Sequence, residues 1–539
     1  FSTTALARAS GQQHHHDGAN HRHQHRQRPE EAGVGPRTIL HRRSLARRSA
    51  IARAPSAVSA PRNGTWAAWL TRVKHDRIRT DGVGRVSPAG ERKKHRMPLS
   101  RAQSAHLCRR VGFGGTNGEV NHFRDREIAD VVEEILALSP TVPSKPGFVN
   151  TNEWWQAAND MRLWWIQRMI DASWTNRTAG RPSPLVEKLT LFWHSHFATG
   201  IRKVEDAGEM WKQNNIFRAR GQGRFGTLLD RVCTSNGALL RYLDNDTNVA
   251  SNPQENFARE LMELWTMGPD HFTEQDVIEM TRAWTGHGVV GWKNDHFDSG
   301  YKYRREHHDR GAKTLFGLAA KNWNGSDTLS LLTSGVRRDE TAAFIATKLW
   351  RFFVNDDPTP SELDDVLSAF LPGLDITDAL RAILSHPTFW APATEFALVR
   401  SPVEIIVQAL RQLGIEAEDG NFIWQLGSLG HELFEPPSVA GWGTGDYWIG
   451  TGATWAKAQW AISLGWNEDA WKHFEGFLDK NSAAAAADLV IDALRIPSPS
   501  GETRGALEGL WHEYQSHDQW LTRHNTLYVG LLCPEMQVA

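Results

Sequence analysis

Apolar residues recur along most of the chain at the spacing of helices that are buried on one side. Leu185, Leu189, Phe192 and Trp193 form one stripe, Ile345, Leu349, Phe352 and Phe353 a second, and Ile406, Leu410 and Leu413 a third. Start signals precede such stripes. A Ser or Thr accepts a bond from a free backbone N–H, and an acid three residues later answers it. Thr116-Asn117-Gly118-Glu119 and Thr273-Glu274-Gln275-Asp276 have this form. Thr359-Pro360-Ser361-Glu362 and Ser401-Pro402-Val403-Glu404 add Pro at the first helical position, where its missing N–H does no harm. Asn252-Pro253-Gln254-Glu255 repeats the logic with Asn as cap. Strand signals are few. Within 297–316, Tyr301 and Tyr303 alternate with charged residues and Asp309-Arg310-Gly311 supplies turn chemistry, so one β-hairpin is predicted there. The expected fold is mostly α, a large multi-helical globular domain over 97–539 with that small inserted hairpin.

Residues 1–96 break the pattern. They are rich in His, Arg and Gln, and no apolar period lasts more than about a turn. They hold 20 Lys and Arg against 6 Asp and Glu, a net of +14, whereas 97–539 hold 41 against 56, a net of −15. A disordered basic extension is expected. Because the first methionine is Met97 and orderly sequence follows it, the extension reads as an upstream frame not made in the cell. A targeting or disordered tail and a nucleic-acid-binding arm are the alternatives. An acidic body excludes phosphate-driven nucleic-acid binding as its main business. No run of about 18 apolar residues occurs, so no membrane span is expected. A start at Met97 would leave no export signal and a cytoplasmic protein. Cys108, Cys233 and Cys533 are few and far apart, which argues against a disulfide scaffold. The chain carries 24 tryptophans, 22 of them after Met97. Trp can line a sugar or aromatic-ligand cleft, but in a large helical protein it more often fills the core.

Several runs, in order, resemble the bacterial domain of unknown function 1800 family. They are 106–115 (HLCRRVGFGG), 187–199 (EKLTLFWHSHFAT), 241–245 (RYLDN), 256–264 (NFARELMEL), 348–354 (KLWRFFV), 401–404 (SPVE), Pro436-Pro437 and Gly441-Trp442. The chain departs at Ser438 and Ala440, where the family usually has Asn and Lys. The resemblance implies a helical domain, often encoded beside a sulfatase-like protein of the domain of unknown function 1501 family, and brings no established reaction. Many relatives look exported.

The chain contains no phosphate loop, nucleophile elbow or HExxH motif. Gly112-Phe113-Gly114-Gly115 lacks a following Lys-Ser/Thr and reads as a helix stop. Asn256, Glu260 and Glu263 fall on one face of a helix whose other face is Phe257, Leu261 and Leu264. This polar stripe could hold a divalent metal or substrate hydroxyls, with Glu260 and Glu263 as catalytic candidates. The bland alternative is a solvated face with a Glu255–Arg259 ion pair. Asn256, Arg259, Arg282, Asp244 and Asn245 are binding candidates. His194 and His196 would point about 200° apart on a regular helix and chelate together only if it unwinds. They, with His308 and Asp309, are the weaker metal candidates. A cleft joining Asn256, Glu260 and Glu263 to His194 or His196 and to Arg282 is expected. Arg282, Arg259, Lys348 and Arg351 would neutralise buried acids, and so many charges point to a functional cleft or a partner-covered surface. Two readings follow: a binding or assembly protein working with the sulfatase-like partner, or a metal-assisted hydrolase acting on a polar polymer such as an envelope glycan.

Overall fold

A run of apolar stripes with separate caps folds by packing one helix on the next, and the chain does so. The computed structural model describes residues 98–150, 153–175, 180–291, 300–514 and 519–539, all within one compact unit. The expected basic extension, 1–96, lies outside them. The longer helices are α1 (Arg101–Arg110), α2 (Asn117–Phe123), α3 (Ile128–Leu136), α4 (Trp154–Asp171), α5 (Pro184–His196), α6 (Ala207–Arg220), α7 (Phe225–Thr234), α8 (Asn256–Glu263) and α9 (Glu274–Ala283). After them come α10 (Gly325–Thr333), α11 (Arg338–Phe353), α12 (Pro360–Phe370), α13 (Ile376–Ser385), α14 (Pro402–Leu413), α15 (Thr451–Leu464), α16 (Ala483–Leu494), α17 (Gly501–Tyr514) and α18 (Gln519–Leu532). No described helix is long and apolar enough to cross a membrane.

Thr116, Thr273, Thr359 and Ser401 each close a reciprocal capping box with the acid three residues on. Asn252 does not cap a helix. Its segment is instead a tight turn, with Asn252 N–H donating to the Val249 carbonyl at 2.9 Å, and it is fastened where Asn248 Oδ1 accepts Gln254 N–H at 3.1 Å and Ala250 N–H donates to the His307 carbonyl at 2.9 Å. The helix therefore starts at Asn256. The hairpin also differs from expectation. β1 (His287–Val290) pairs antiparallel with β2 (Gly300–Tyr303), His287 opposite Tyr303. Asp309-Arg310-Gly311 lies beyond the hairpin: Arg282 and Lys313 hold it instead. The alternation at Tyr301 and Tyr303 was a strand signal, but its partner lies upstream, where His287 and Gly288 hide the pattern.

Two hydrophobic clusters organise the helices. One gathers α1–α3 and α7–α13, and the other α4 and α14–α18. α5 and α6 serve both: Leu189, Trp193 and Phe217 enter the first, Leu191 and Met210 the second. Burying these faces is the main favourable term, roughly 25 cal/mol per Å² of apolar surface. Between the clusters run paired charges. Lys188 of α5 meets Glu404 of α14, and Arg411 of α14 meets Glu119 of α2 at 3.1 Å. The three cysteines are buried free thiols.

Candidate functional site

α8 forms because Phe257, Ala258, Leu261 and Met262 all go into the core. That orientation leaves Asn256 exposed and Glu260 and Glu263 half-buried, one turn apart. Glu260 is pushed up to about 7, chiefly by burial and next by the Glu263 charge, with Arg259 opposing. Arg259 turns away from the pair: it binds Glu255 at 3.2 Å and Glu274 of α9 at 2.7 Å. A carboxyl that holds its proton near neutrality beside a second carboxyl can exchange a proton or accept a cation.

Arg282 is engaged away from Glu260 and Glu263. Arg282 grips Asp309 (Nε–Oδ2 2.8 Å, Nη2–Oδ1 3.2 Å) and Glu279 (2.6 Å). Asp309 is held below the usual carboxylate range by that hydrogen bond. Together with Lys313, which donates to the Asp309 and Gly311 carbonyls, this fastens a loop onto α9. His308 faces elsewhere, its Nδ1 2.9 Å from the Thr285 carbonyl.

His194 and His196 diverge as the helical geometry requires. His194 Nε2 accepts the Phe434 N–H at 3.1 Å, so the neutral ring carries its proton on Nδ1 and offers no lone pair there. His196 Nε2 donates to the Trp265 carbonyl at 3.1 Å, and its Nδ1 accepts from Lys348 at 3.1 Å. Burial pulls His194 down to about 3 and His196 well below its ordinary value. Both rings are thus structural pins, and the helix runs regularly through His196 without the unwinding that chelation by the pair would need. Among the described residues no group of three or more His, Cys, Asp or Glu is placed to hold a metal.

Asp244 pairs with Lys203 at 2.8 Å in a left-handed turn. Asn245 is buried and donates to the Trp284 and His287 carbonyls, fixing the start of β1. A cleft of about 210 Å³, lined by residues including Thr116, Glu119, Arg181 and Arg411, contains none of the catalytic, binding or metal candidates expected from the sequence.

Two features escaped the sequence reading. His431 is buried against Trp442 (4.8 Å) and Trp448 (4.9 Å), and Trp442 also meets His194 (5.1 Å). The second is a set of exposed aromatics: Trp424 at 87% exposure, Trp455 at 66% and Trp466 at 64%, with Tyr447 and Ile449 nearby in the chain. Its signal was available, since Trp455 lies outside the buried stripe of Ala456, Trp460, Ala461 and Leu464, and Trp466 follows just past the end of that stripe.

The chain matches the family described as Protein of unknown function (DUF1800) over residues 106–538. That span includes almost every described residue, and the chain belongs to this family. Comparison with curated proteins and with solved structures gives no significant match.

Proposed function

We propose that this chain is a binding and assembly protein whose partner is a sulfatase-like protein of the domain of unknown function 1501 family. The observation that carries the reading is the exposed aromatic face. Trp165, Trp174, Trp193, Trp265, Trp284, Trp350 and Trp460 are fully buried, whereas Trp424, Trp455 and Trp466 stand in solvent on one stretch of chain. Large exposed apolar rings mark interaction sites, and Trp is enriched where binding energy concentrates. The partner's identity comes from the family resemblance. Its test is co-expression of both proteins followed by size-exclusion chromatography. A stable complex that the Trp455→Ala/Trp466→Ala variant fails to form supports the reading; separate elution of the unaltered proteins discards it.

One observation favours a second reading, a metal-assisted hydrolase acting on a polar polymer such as an envelope glycan. Glu260, poised at about 7 beside Glu263, has the proton affinity of a general acid or base. Stoichiometric divalent metal in the purified protein, lost in Glu260→Gln, would favour that reading.

A further inference from the structure

α15 exposes Gly452, Trp455 and Gln459, and Trp466 stands exposed in the turn two residues past its end. Eleven residues of regular helix make three turns and about 20°, which would set Trp455 and Trp466 on one side roughly 16 Å apart along the axis; α15 itself ends at Leu464. Gly465 keeps helical backbone beyond the last residue of α15, and Trp466 N–H donates to the Ser463 carbonyl at 3.1 Å. Trp466 stands edge-on against His524 at 5.0 Å and still exposes most of its ring. Trp424 directly precedes the short helix Gln425–Ser428, which packs on α15.

Along the stretch of chain that carries these rings the charge is one-sided, although Arg162 and Arg202 engage Glu432 and Glu435 within it. Residues 412–479 contain ten Asp and Glu and two lysines, Lys457 and Lys472. Lys457 is buried, and Lys472 is engaged by Asp469. Acids border Trp466 on two sides. Asn467 Nδ2 donates to the Asp419 carbonyl at 3.2 Å, which brings the exposed turn carrying Glu418 and Asp419 beside it. Glu468 and Asp469 follow it directly in the chain.

An exposed indole attracts a cation through the negative face of its ring, and surrounding carboxylates extend that attraction to about a Debye length. The same border repels phosphate and anionic lipid. A neutral glycan would gain from the rings and little from the charge. We infer that the Trp455–Trp466 face, with its acidic border, docks a Lys- and Arg-bearing segment of a partner protein. This deepens and rests on the binding reading above: it supplies the chemistry of the partner's contact. The cationic heads sit over the indoles, and the carboxylates of the border neutralise them.

The test uses the full chain and a fluorophore-labelled Arg/Ser peptide, with a Glu/Ser peptide of equal length as control. Fluorescence anisotropy should show the Arg/Ser peptide binding, the control not binding, and the affinity falling with added salt. Trp455→Ala/Trp466→Ala should bind about tenfold more weakly, the combined effect of two exposed cation–π contacts. Its thermal unfolding should be unchanged, since both rings are mostly exposed. General attraction to an acidic surface survives removal of the rings, so equal binding by both proteins overturns the proposal. Binding of a neutral oligosaccharide or of phosphatidylcholine vesicles that depends on the two tryptophans, without a matching dependence for the peptide, also overturns it. Peptide binding that needs both rings, with no sulfatase-like partner captured, keeps the docking face and discards that partner. Partner capture that is indifferent to both rings does the reverse.

Discussion

Arg218 holds Glu187 by both carboxylate oxygens, Nε to Oε1 at 2.8 Å and Nη2 to Oε2 at 2.9 Å. Arg168 adds a bond at 3.0 Å and the Trp165 Nε1–H another at 3.0 Å. One carboxylate thereby ties α4, α5 and α6 together. Arg218 and Glu187 are both buried completely, so the pair survives only because every partner is present. Removing the guanidinium leaves a buried charge with half its compensation. Arg218→Met is expected to lose about 3–5 kcal/mol of stability, read from the shift of the urea unfolding midpoint. A loss under about 1 kcal/mol would show that Arg168 alone satisfies Glu187.

Gly441 has φ +88°, and a Cβ there would lie 2.3 Å from the Ser195 carbonyl oxygen and 2.6 Å from its Oγ. Both constraints require glycine. Gly441→Ala is expected to destabilise by about 2 kcal/mol or more, because the neighbour that must shift is backbone at the end of α5. Gly509, exposed within α17, is the opposite case, with nothing within 4 Å of an added Cβ. Gly509→Ala should stabilise by about 1 kcal/mol through helix propensity alone. Differential scanning calorimetry of the two variants should move the melting temperature in opposite directions.

The helices that were legible are those with a local cause. Thr116, Thr273, Thr359 and Ser401 cap by contacts three residues away, and such contacts are written in the sequence. Asn252 fails as a cap because Asn248 and His307 hold its segment from outside. The candidate site divides on the same line. That Glu260 and Glu263 share one helical face followed from their spacing. That Arg282 serves Asp309, and that His194 spends its lone pair on Phe434 N–H, depends on segments 27 and 240 residues away. No periodicity encodes those contacts.

Five buried histidines are expected to make the protein acid-labile. His106, His194, His287 and His431 are pulled down to about 3 and His196 well below its ordinary value, in each case chiefly by burial. A group whose pKa is lowered on folding binds more protons when unfolded, so its contribution is present above about 6.5 and lost as pH falls. Well below 6.5 each such ring removes about 1.4 kcal/mol per pH unit. Burial raises Glu209, Glu260, Asp356 and Glu435, which act in the opposite sense but are fewer. Circular dichroism across a pH series should show cooperative unfolding between about pH 6 and pH 4. A helix signal unchanged at pH 4 would mean that these rings are hydrated in solution.

Glu260 carries the opposite sign. Its carboxyl is raised from an ordinary 4.5 to about 7 by burial and then by Glu263. The folded state therefore binds the proton more tightly than the unfolded chain, and the advantage, full below about 4.5, is lost as pH rises through 7. Above that point two carboxylates on one face of α8 repel each other in partial desolvation. Glu260→Gln removes the titration and the repulsion together. The variant should match the unaltered protein near pH 5 and exceed it at pH 8 by on the order of 1 kcal/mol, after allowance for solvent screening of a half-exposed group. Urea unfolding of both proteins at the two pH values measures the difference. If Glu260 were instead a solvated carboxylate, the two proteins would differ equally at both pH values. A divalent cation seated between Glu260 and Glu263 would reverse the order, because the unaltered pair would then gain stability at pH 8 on addition of magnesium or calcium and the glutamine variant would not.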